Sequence, residues 1–296
     1  MTESKRIAIL GGDARQIAAA RYLAFLGHTV LVWGLGDCTG TIGNARICDA
    51  WETAVDASEV VLLPLPATED GLRIRCPHQE NGVAPRFSEL LKHAYGRLLL
   101  GGKLPETVCR MAEMQGVRTL DYFDSEFFQL KNAIPTAEGA LAIAMQELPV
   151  TLYGSRAAVL GYGRIGEVLA ARLREMGSYV TVFARRAEQR VRAELALHSV
   201  GSLPLAIGGD SLAALAACRV VFNTVPHRIL TEELLPFLRG DCLLIDLASP
   251  PGGIDFGAAQ RLGFSSVWAT ALPGKVAPES AGEILAKTVL ALLEDS

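Results

Sequence analysis

The stretch Arg156–Arg186 constrains this chain more than any other. It opens RAAVLGYGRIG, continues through EVLAARLREMG and closes with SYVTVFARR. Ala157–Leu160 is a short apolar run, the pattern of a buried strand in a parallel sheet. Gly161, Gly163 and Gly166 then give G-x-G-x-x-G, and Ile165, Val168, Leu169, Leu173 and Met176 follow at helical spacing. Gly177 ends that helix, and Tyr179–Ala184 makes the next strand. In this strand–turn–helix–strand order each glycine has a physical reason. One allows a tight turn, one lets a diphosphate approach the backbone, and one lets helix and strand pack closely. The unpaired N–H groups at the helix start favour an anion there. The spacing therefore predicts a dinucleotide site at Gly161, Tyr162, Gly163, Arg164, Ile165 and Gly166, against the alternative of an unliganded βαβ turn.

The end of the second strand discriminates between cofactors. NAD sites place Asp or Glu there, about 20 residues on, to hold the ribose 2′-hydroxyl. Here the chain reads Phe183, Ala184, Arg185, Arg186, with no carboxylate before Glu188. Two guanidiniums suit a 2′-phosphate through charge-assisted bonds. NADP is the expected cofactor, and a solvated basic loop is the alternative.

At 296 residues, half of them hydrophobic, the chain is long enough to bury two domain cores. Its formal net charge of -4 gives no basic footprint for nucleic acid. No run approaches the roughly 18 apolar residues that a membrane helix needs. MTESKRIAILGG leads straight into a strand, so no signal peptide is expected. Cys38, Cys48, Cys76, Cys109, Cys218 and Cys242 are scattered without a C-x-x-C. They read as free thiols of a reducing cytoplasm, and no metal site is expected.

The rest of the chain repeats the same rhythm. Arg6–Gly11 is a strand, GGDARQ (Gly11 to Gln16) is its turn, and a helix runs on to Gly27. Thr29–Trp33 and VVLLPLP are further strands, the latter ended by Pro64 and Pro66. Residues 68–86 carry few structural signals, which suggests a lid or binding loop. RIAILGG matches RAAVLGYG, and Val60–Pro66 matches Val220–Pro226, so the two halves share an architecture. The expected fold class is α/β, with two doubly wound parallel-sheet domains, one Rossmann-type and one flavodoxin-like, flanking an interdomain cleft. The expected boundaries are 1–130 for a substrate domain, 131–150 for a linker helix with Pro135 near its start, and 151–278 for the cofactor domain. A C-terminal helix, 279–296, would pack back on the first domain.

Strand ends nominate the ligand contacts. The first domain offers Asp13, Arg15 and Gln16, then Thr68 and Gly101 to Lys103; the linker offers Asn132, Thr136 and Glu138. The second domain offers Asn223, Thr224, Val225, Pro226 and Leu247 for the cofactor, and Lys275 at its rim for the substrate. Each has a structural reading too. Asn223 and Thr224 can cap a turn, Glu138 can be a first-turn acid favoured by the helix dipole, and Arg15 can pair with Asp13 or Glu138.

The plan matches the D-2-hydroxyacid dehydrogenases, formate and glycerate dehydrogenases among them. The stretch Leu272 to Glu283 lacks the Pro-His whose histidine serves that family as acid–base, and a keto–hydroxyl hydride transfer needs a proton donor. GGDARQ, NAIPTAEG, LGYGRIG, NTVP, IDLASPPGG and LPGKVAPESAG together resemble the A subunits of bacterial dipicolinate synthases over nearly the whole chain. That resemblance implies an NADP-dependent oxidation of a dihydrodipicolinate-type ring, or its hydroxylated tetrahydro precursor, to pyridine-2,6-dicarboxylate. It implies a branch of the lysine pathway, the cytoplasm of the mother cell during sporulation and, as partner, a flavoprotein-like B subunit. It assigns no catalytic base, and self-association stays open. The alternatives are an NADP-dependent 2-hydroxyacid dehydrogenase and a nucleotide-binding subunit without activity of its own.

Overall fold

The computed structural model describes residues 3–36, 41–78 and 84–295. Cys38 and part of the 68–86 loop lie outside them. The chain divides into two compact units, Met1–Asn132 with Pro273–Ser296, and Ala133–Leu272.

The first unit contains β1 (Arg6–Leu10), α1 (Ala14–Phe25), β2 (Thr29–Trp33), β3 (Arg46–Ile47), α2 (Trp51–Asp56) and β4 (Val60–Leu62). It continues with α3 (Phe87–His93), β5 (Leu98–Gly101), α4 (Glu106–Met114), β6 (Arg118–Asp121) and the start of α5 (Glu126–Glu147). In the second unit follow β7 (Arg156–Leu160), α6 (Arg164–Glu175), β8 (Tyr179–Ala184), α7 (Ala187–Leu195), β9 (Ser199–Ser202) and α8 (Asp210–Ala216). Then come β10 (Val220–Asn223), β11 (Leu243–Asp246), α9 (Phe256–Arg261) and β12 (Ser266–Trp268), after which α10 (Leu272–Val276), from its second residue, and α11 (Pro278–Glu294) belong to the first unit again.

Each unit is one parallel six-stranded sheet, ordered β3-β2-β1-β4-β5-β6 and β12-β11-β10-β7-β8-β9. Read from opposite edges, these are the same doubly wound topology. The apolar runs of the sequence explain it: Ile7–Leu10 and Ala157–Leu160 are fully buried, as strands covered on both faces must be. In each sheet the strand order reverses once, between β1 and β4 and between β7 and β10. Ligands of such sheets bind in the crevice beyond the strand C-termini at that point.

Two differences from the sequence expectation concern the linker and the chain end. Pro135 lies inside α5 rather than at its start. Proline there cannot donate to the carbonyl of Lys131. Ala133, Ala137, Ala140 and Leu141, all buried, hold the helix on both sides of that missing bond. Lys275, expected on the rim of the second domain, belongs to the first unit. The reason is the packing of α11 on α1. A Cβ on Gly282 would lie 2.4 Å from the Ala18 side chain and 2.6 Å from the Arg15 carbonyl, so only glycine permits the approach.

Candidate functional site

In the second unit the switch point is built around glycine. Gly161 has φ +94°, and a Cβ there would lie 2.5 Å from Thr224 Oγ1. Gly166 sits under the turn, where a Cβ would come within 2.2 Å of the Gly161 carbonyl oxygen. Gly163, the N-cap of α6, differs: a Cβ on it would meet nothing within 4 Å. No side chain caps this helix, whose start is the kind of helix end that leaves backbone N–H groups without intrahelical partners. An uncapped helix start behind a glycine turn suits an anionic group such as a diphosphate.

The flanking residues fix the turn. Tyr162 is buried; its carbonyl accepts from Gln189 Nε2 at 3.1 Å, and Arg192 lies over its ring at 5.9 Å. Arg192 also pairs with Glu167. At the end of β8, Arg185 and Arg186 are both exposed. Arg186 stands 3.4 Å from Glu188, a pair too solvated to hold it firmly. Arg190, which the sequence reading passed over, donates from Nη1 to the carbonyls of Ala184 (3.0 Å) and Arg185 (2.9 Å). It fixes the backbone that presents the two exposed arginines.

Asn223 and Asp246 end the neighbouring strands β10 and β11, and both are fully buried. Asn223 Nδ2 donates to Asp246 Oδ1 at 2.7 Å and to the Val225 carbonyl at 2.9 Å, while its Oδ1 accepts from Val225 N at 3.2 Å. Asp246 further accepts from Ala248 N (3.0 Å), Gly253 N (2.7 Å) and Ile254 N (3.1 Å). The carboxylate thus knots together the loop after β11, and Asn223 is engaged inside the protein. The groups left at this strand end are Thr224, whose hydroxyl and amide both donate to the Leu160 carbonyl, with Val225 and exposed Pro226. Leu247 is buried, with its amide on the Asn223 carbonyl at 2.8 Å.

The switch point of the first unit is filled with charge. Asp13 is the N-cap of α1 and forms a capping box with Gln16. Arg15 closes a two-bond fork on Asp13, Nε to Oδ1 at 2.8 Å and Nη2 to Oδ2 at 2.7 Å, and Nη2 reaches the Leu65 carbonyl at 2.8 Å. Arg75, from the 68–86 loop, brings Nη1 to 3.4 Å from Asp13 Oδ2 and donates from Nε to Glu69 at 2.8 Å. Burial pushes the Asp13 carboxyl up, but the hydrogen bonds and charge of Arg15, with the charge of Arg75, outweigh it and hold the group below its usual range. The α10 segment lies against this pair, since a Cβ on Gly274 would be 2.9 Å from Arg15 Nε and 3.2 Å from Asp13 Oδ1. Exposed Lys275 follows directly.

The structure therefore gathers Asp13, Arg15, Gln16 and, from α10, Gly274 and Lys275 in one unit. It gathers Gly161 to Gly166, Thr224 and Val225 in the other. Asn132 and Thr136 share a face of α5, at half-buried and buried positions. Glu138 is exposed and stands 3.4 Å from Arg172. At the end of β5, Lys103 has φ +54°, its amide donates to Asp121 Oδ1 at 3.0 Å, and its ammonium lies 4.7 Å from the Phe123 ring centre. Among the described residues no group of three His, Cys, Asp or Glu side chains could hold a metal, and no helix is long and apolar enough to cross a membrane.

Residues 6–123 match the family model for the N-terminal domain of the dipicolinate synthase A subunit. The chain is 29% identical to the A subunit of dipicolinate synthase from Bacillus subtilis over 296 residues, covering 100% of this chain and 98% of that one. The resemblance read from the motifs holds. A crystal structure of the dipicolinate synthase A subunit from Bacillus halodurans superposes with a TM-score of 0.87 at 27% identity, covering 98% of this chain and 97% of that one. The fold alone extends further. A phosphoglycerate oxidoreductase from Vibrio cholerae O395 superposes with a TM-score of 0.56 at 16% identity over 99% of this chain and 100% of its own.

Proposed function

We propose that the chain is an NADP-dependent oxidoreductase. It aromatises dihydrodipicolinate, or the hydroxylated tetrahydro precursor, to pyridine-2,6-dicarboxylate in the mother cell of a sporulating bacterium, alongside a flavoprotein-like B subunit. The full-length similarity to the dipicolinate synthase A subunit supports the substrate class. The observation that carries the cofactor is the cradle of Gly161, Gly163 and Gly166, with open space over an uncapped helix start.

When bound, NADP supplies the hydride acceptor. The amides of Arg164 to Gly166 receive the diphosphate, and Arg185 and Arg186, steadied by Arg190, receive the 2′-phosphate. Thr224, Val225 and Pro226 form the wall at the end of β10. Arg15 receives one substrate carboxylate and Lys275 the other, with Asn132 and Thr136 as further polar contacts. Aromatisation of dihydrodipicolinate removes one hydride and one proton, the hydroxylated precursor loses a water as well, and the aromatic product favours completion. The chain's main task is then placement rather than strong base catalysis.

The test is a steady-state assay of the purified chain on enzymatically generated dihydrodipicolinate, with NADP and then NAD, with and without the B subunit. The expected result is reduction of NADP by the chain alone. Efficient NADPH-dependent reduction of a 2-keto acid, without turnover of dihydrodipicolinate, would replace this reading with that of a hydroxyacid dehydrogenase.

A further inference from the structure

We propose that Arg75 and Arg15 form a two-armed clamp for a single carboxylate, with Asp13 as the residue that holds both arms in place. This rests on the reading above that the ligand is a small dicarboxylate, and it assigns a binding role to the 68–86 loop.

The first ground is charge. The side chains of Arg15, Arg75 and Asp13 are 6%, 19% and 19% exposed, so two cations and one anion share one sheltered site. The second partner of Arg75, Glu69, is 72% exposed and largely screened by solvent. Within the sheltered trio, then, one carboxylate stands between two guanidiniums, and the other carboxylate on Arg75 is held out in solvent.

The second ground is the donor inventory. Each guanidinium has five N–H donors and no acceptor. Arg15 uses Nε and Nη2 on Asp13 and Leu65, and Arg75 uses Nε on Glu69 and Nη1, at a long 3.4 Å, on Asp13. Nη1 of Arg15 and Nη2 of Arg75 are left over among the described residues. Gln16, in the first turn of α1, adds a fully buried Nε2 without a partner.

The third ground is position. Arg75 is anchored by its backbone at both lips of the switch point: its amide donates to the Ala67 carbonyl at 2.9 Å, and its carbonyl accepts from Gly12 N at 3.0 Å. An arginine on a free surface loop needs neither bond. Asp13 neutralises one guanidinium, keeps the two from repelling one another and fixes their orientation. The charge of Arg75 that Asp13 does not neutralise is balanced only by exposed Glu69, which a carboxylate can displace at the positive end of the 12-residue α1.

Calorimetric titration of the full chain with dipicolinate and with picolinate, which carries a single carboxylate, tests the clamp. Arg75→Gln should weaken both ligands by the same factor, roughly ten- to a hundredfold, with NADP affinity unchanged. Arg75→Lys keeps the charge but loses the fork; it should show a smaller loss and carries the test if Arg75→Gln does not fold. Unchanged dipicolinate affinity in Arg75→Gln overturns the clamp and leaves the dicarboxylate reading standing. Binding of pyruvate but not dipicolinate, lost in Arg75→Gln, keeps the clamp and removes that reading. A wild-type chain that binds none of these carboxylates overturns both.

Discussion

Asp246→Asn is the sharpest test of how the second unit holds its switch point. Asp246 accepts four hydrogen bonds, two on each oxygen, from Asn223, Ala248, Gly253 and Ile254. A side-chain amide offers one acceptor and one NH2, so whichever way the substituted group turns, two buried donors face another donor. If the NH2 faces Gly253 and Ile254, two backbone amides lose their acceptor. If it faces Ala248 and Asn223, the latter cannot flip to compensate without breaking its two bonds to Val225. Each stranded buried donor costs about 1–3 kcal/mol, so the substitution should cost about 2–6 kcal/mol. Two units need not unfold together, so the readout must be local. Trp268 donates to the Ala248 carbonyl at 3.0 Å and stacks on Phe256, making its fluorescence a reporter of this loop. Hydrogen exchange at the Gly253 and Ile254 amides reports the same bonds directly. Asp241→Asn, on an exposed pair with Arg239 and Arg219, is the control that should change little. Wild-type protection at Gly253 and Ile254 in Asp246→Asn would refute the argument.

Other substitutions separate the remaining claims. Arg185→Asp should weaken NADP roughly ten- to a hundredfold and NAD less; equal losses in fluorescence titrations would remove the 2′-phosphate assignment. Gly166→Ala puts a methyl 2.2 Å from the Gly161 carbonyl oxygen, so α6 must back away. A stability loss of about 1–3 kcal/mol and weaker nucleotide binding should follow, measured by urea unfolding and NADP titration. Burial pushes the Cys218 thiol up to about 11 and the Cys76 and Cys242 thiols up to about 12. Iodoacetamide at pH 8 should leave these three unmodified in the native chain and label them rapidly in urea, as read by mass spectrometry. Asp13 has a folded pKa below its unfolded value of about 3.9. Its stabilisation is therefore present above that value and lost as pH falls through the lower folded pKa. In Arg15→Gln burial is no longer outweighed, so the carboxyl should titrate at higher pH; carbon NMR of the Asp13 carboxyl checks the direction.

The fold was legible because parallel sheets write themselves into sequence. VVLLPLP and RAAVLG are continuous apolar runs followed by glycine or proline, and both become central strands at a switch point. The two-residue β3 and the edge strand β12 were not legible, since short edge strands bury too little to need an apolar run. At the candidate site, the G-x-G-x-x-G turn is local and could be read from spacing. The partners of Asp13 could not. Arg75 is brought in by long-range backbone bonds from a loop with few structural signals, in which Ile74 is buried. Pro135 misled because a helix start is where proline is cheapest, whereas burial along α5 overrides that preference.

The two units share one topology yet offer opposite chemistry, and the glycine turns explain the divergence. Both Gly11 and Gly161 follow the first strand of their sheet and take positive φ, +64° and +94°. After Gly161 the turn stays open, since a Cβ on Gly163 would touch nothing within 4 Å. At Gly11 the place that Thr224 takes beside Gly161 is taken by Arg75 and Cys76. A Cβ on Gly11 would lie 2.5 Å from Cys76 Sγ and 2.6 Å from the Arg75 carbonyl, and one on Gly12 would strike the Gln16 side chain. The described part of the 68–86 loop, at Arg75 and Cys76, therefore packs directly on this turn. It places Arg75 beside the cap of α1, where Asp13 and Arg15 already stand. A turn emptied of side chains suits a large anion held by backbone amides, whereas one packed with guanidiniums suits a small carboxylate held by forks.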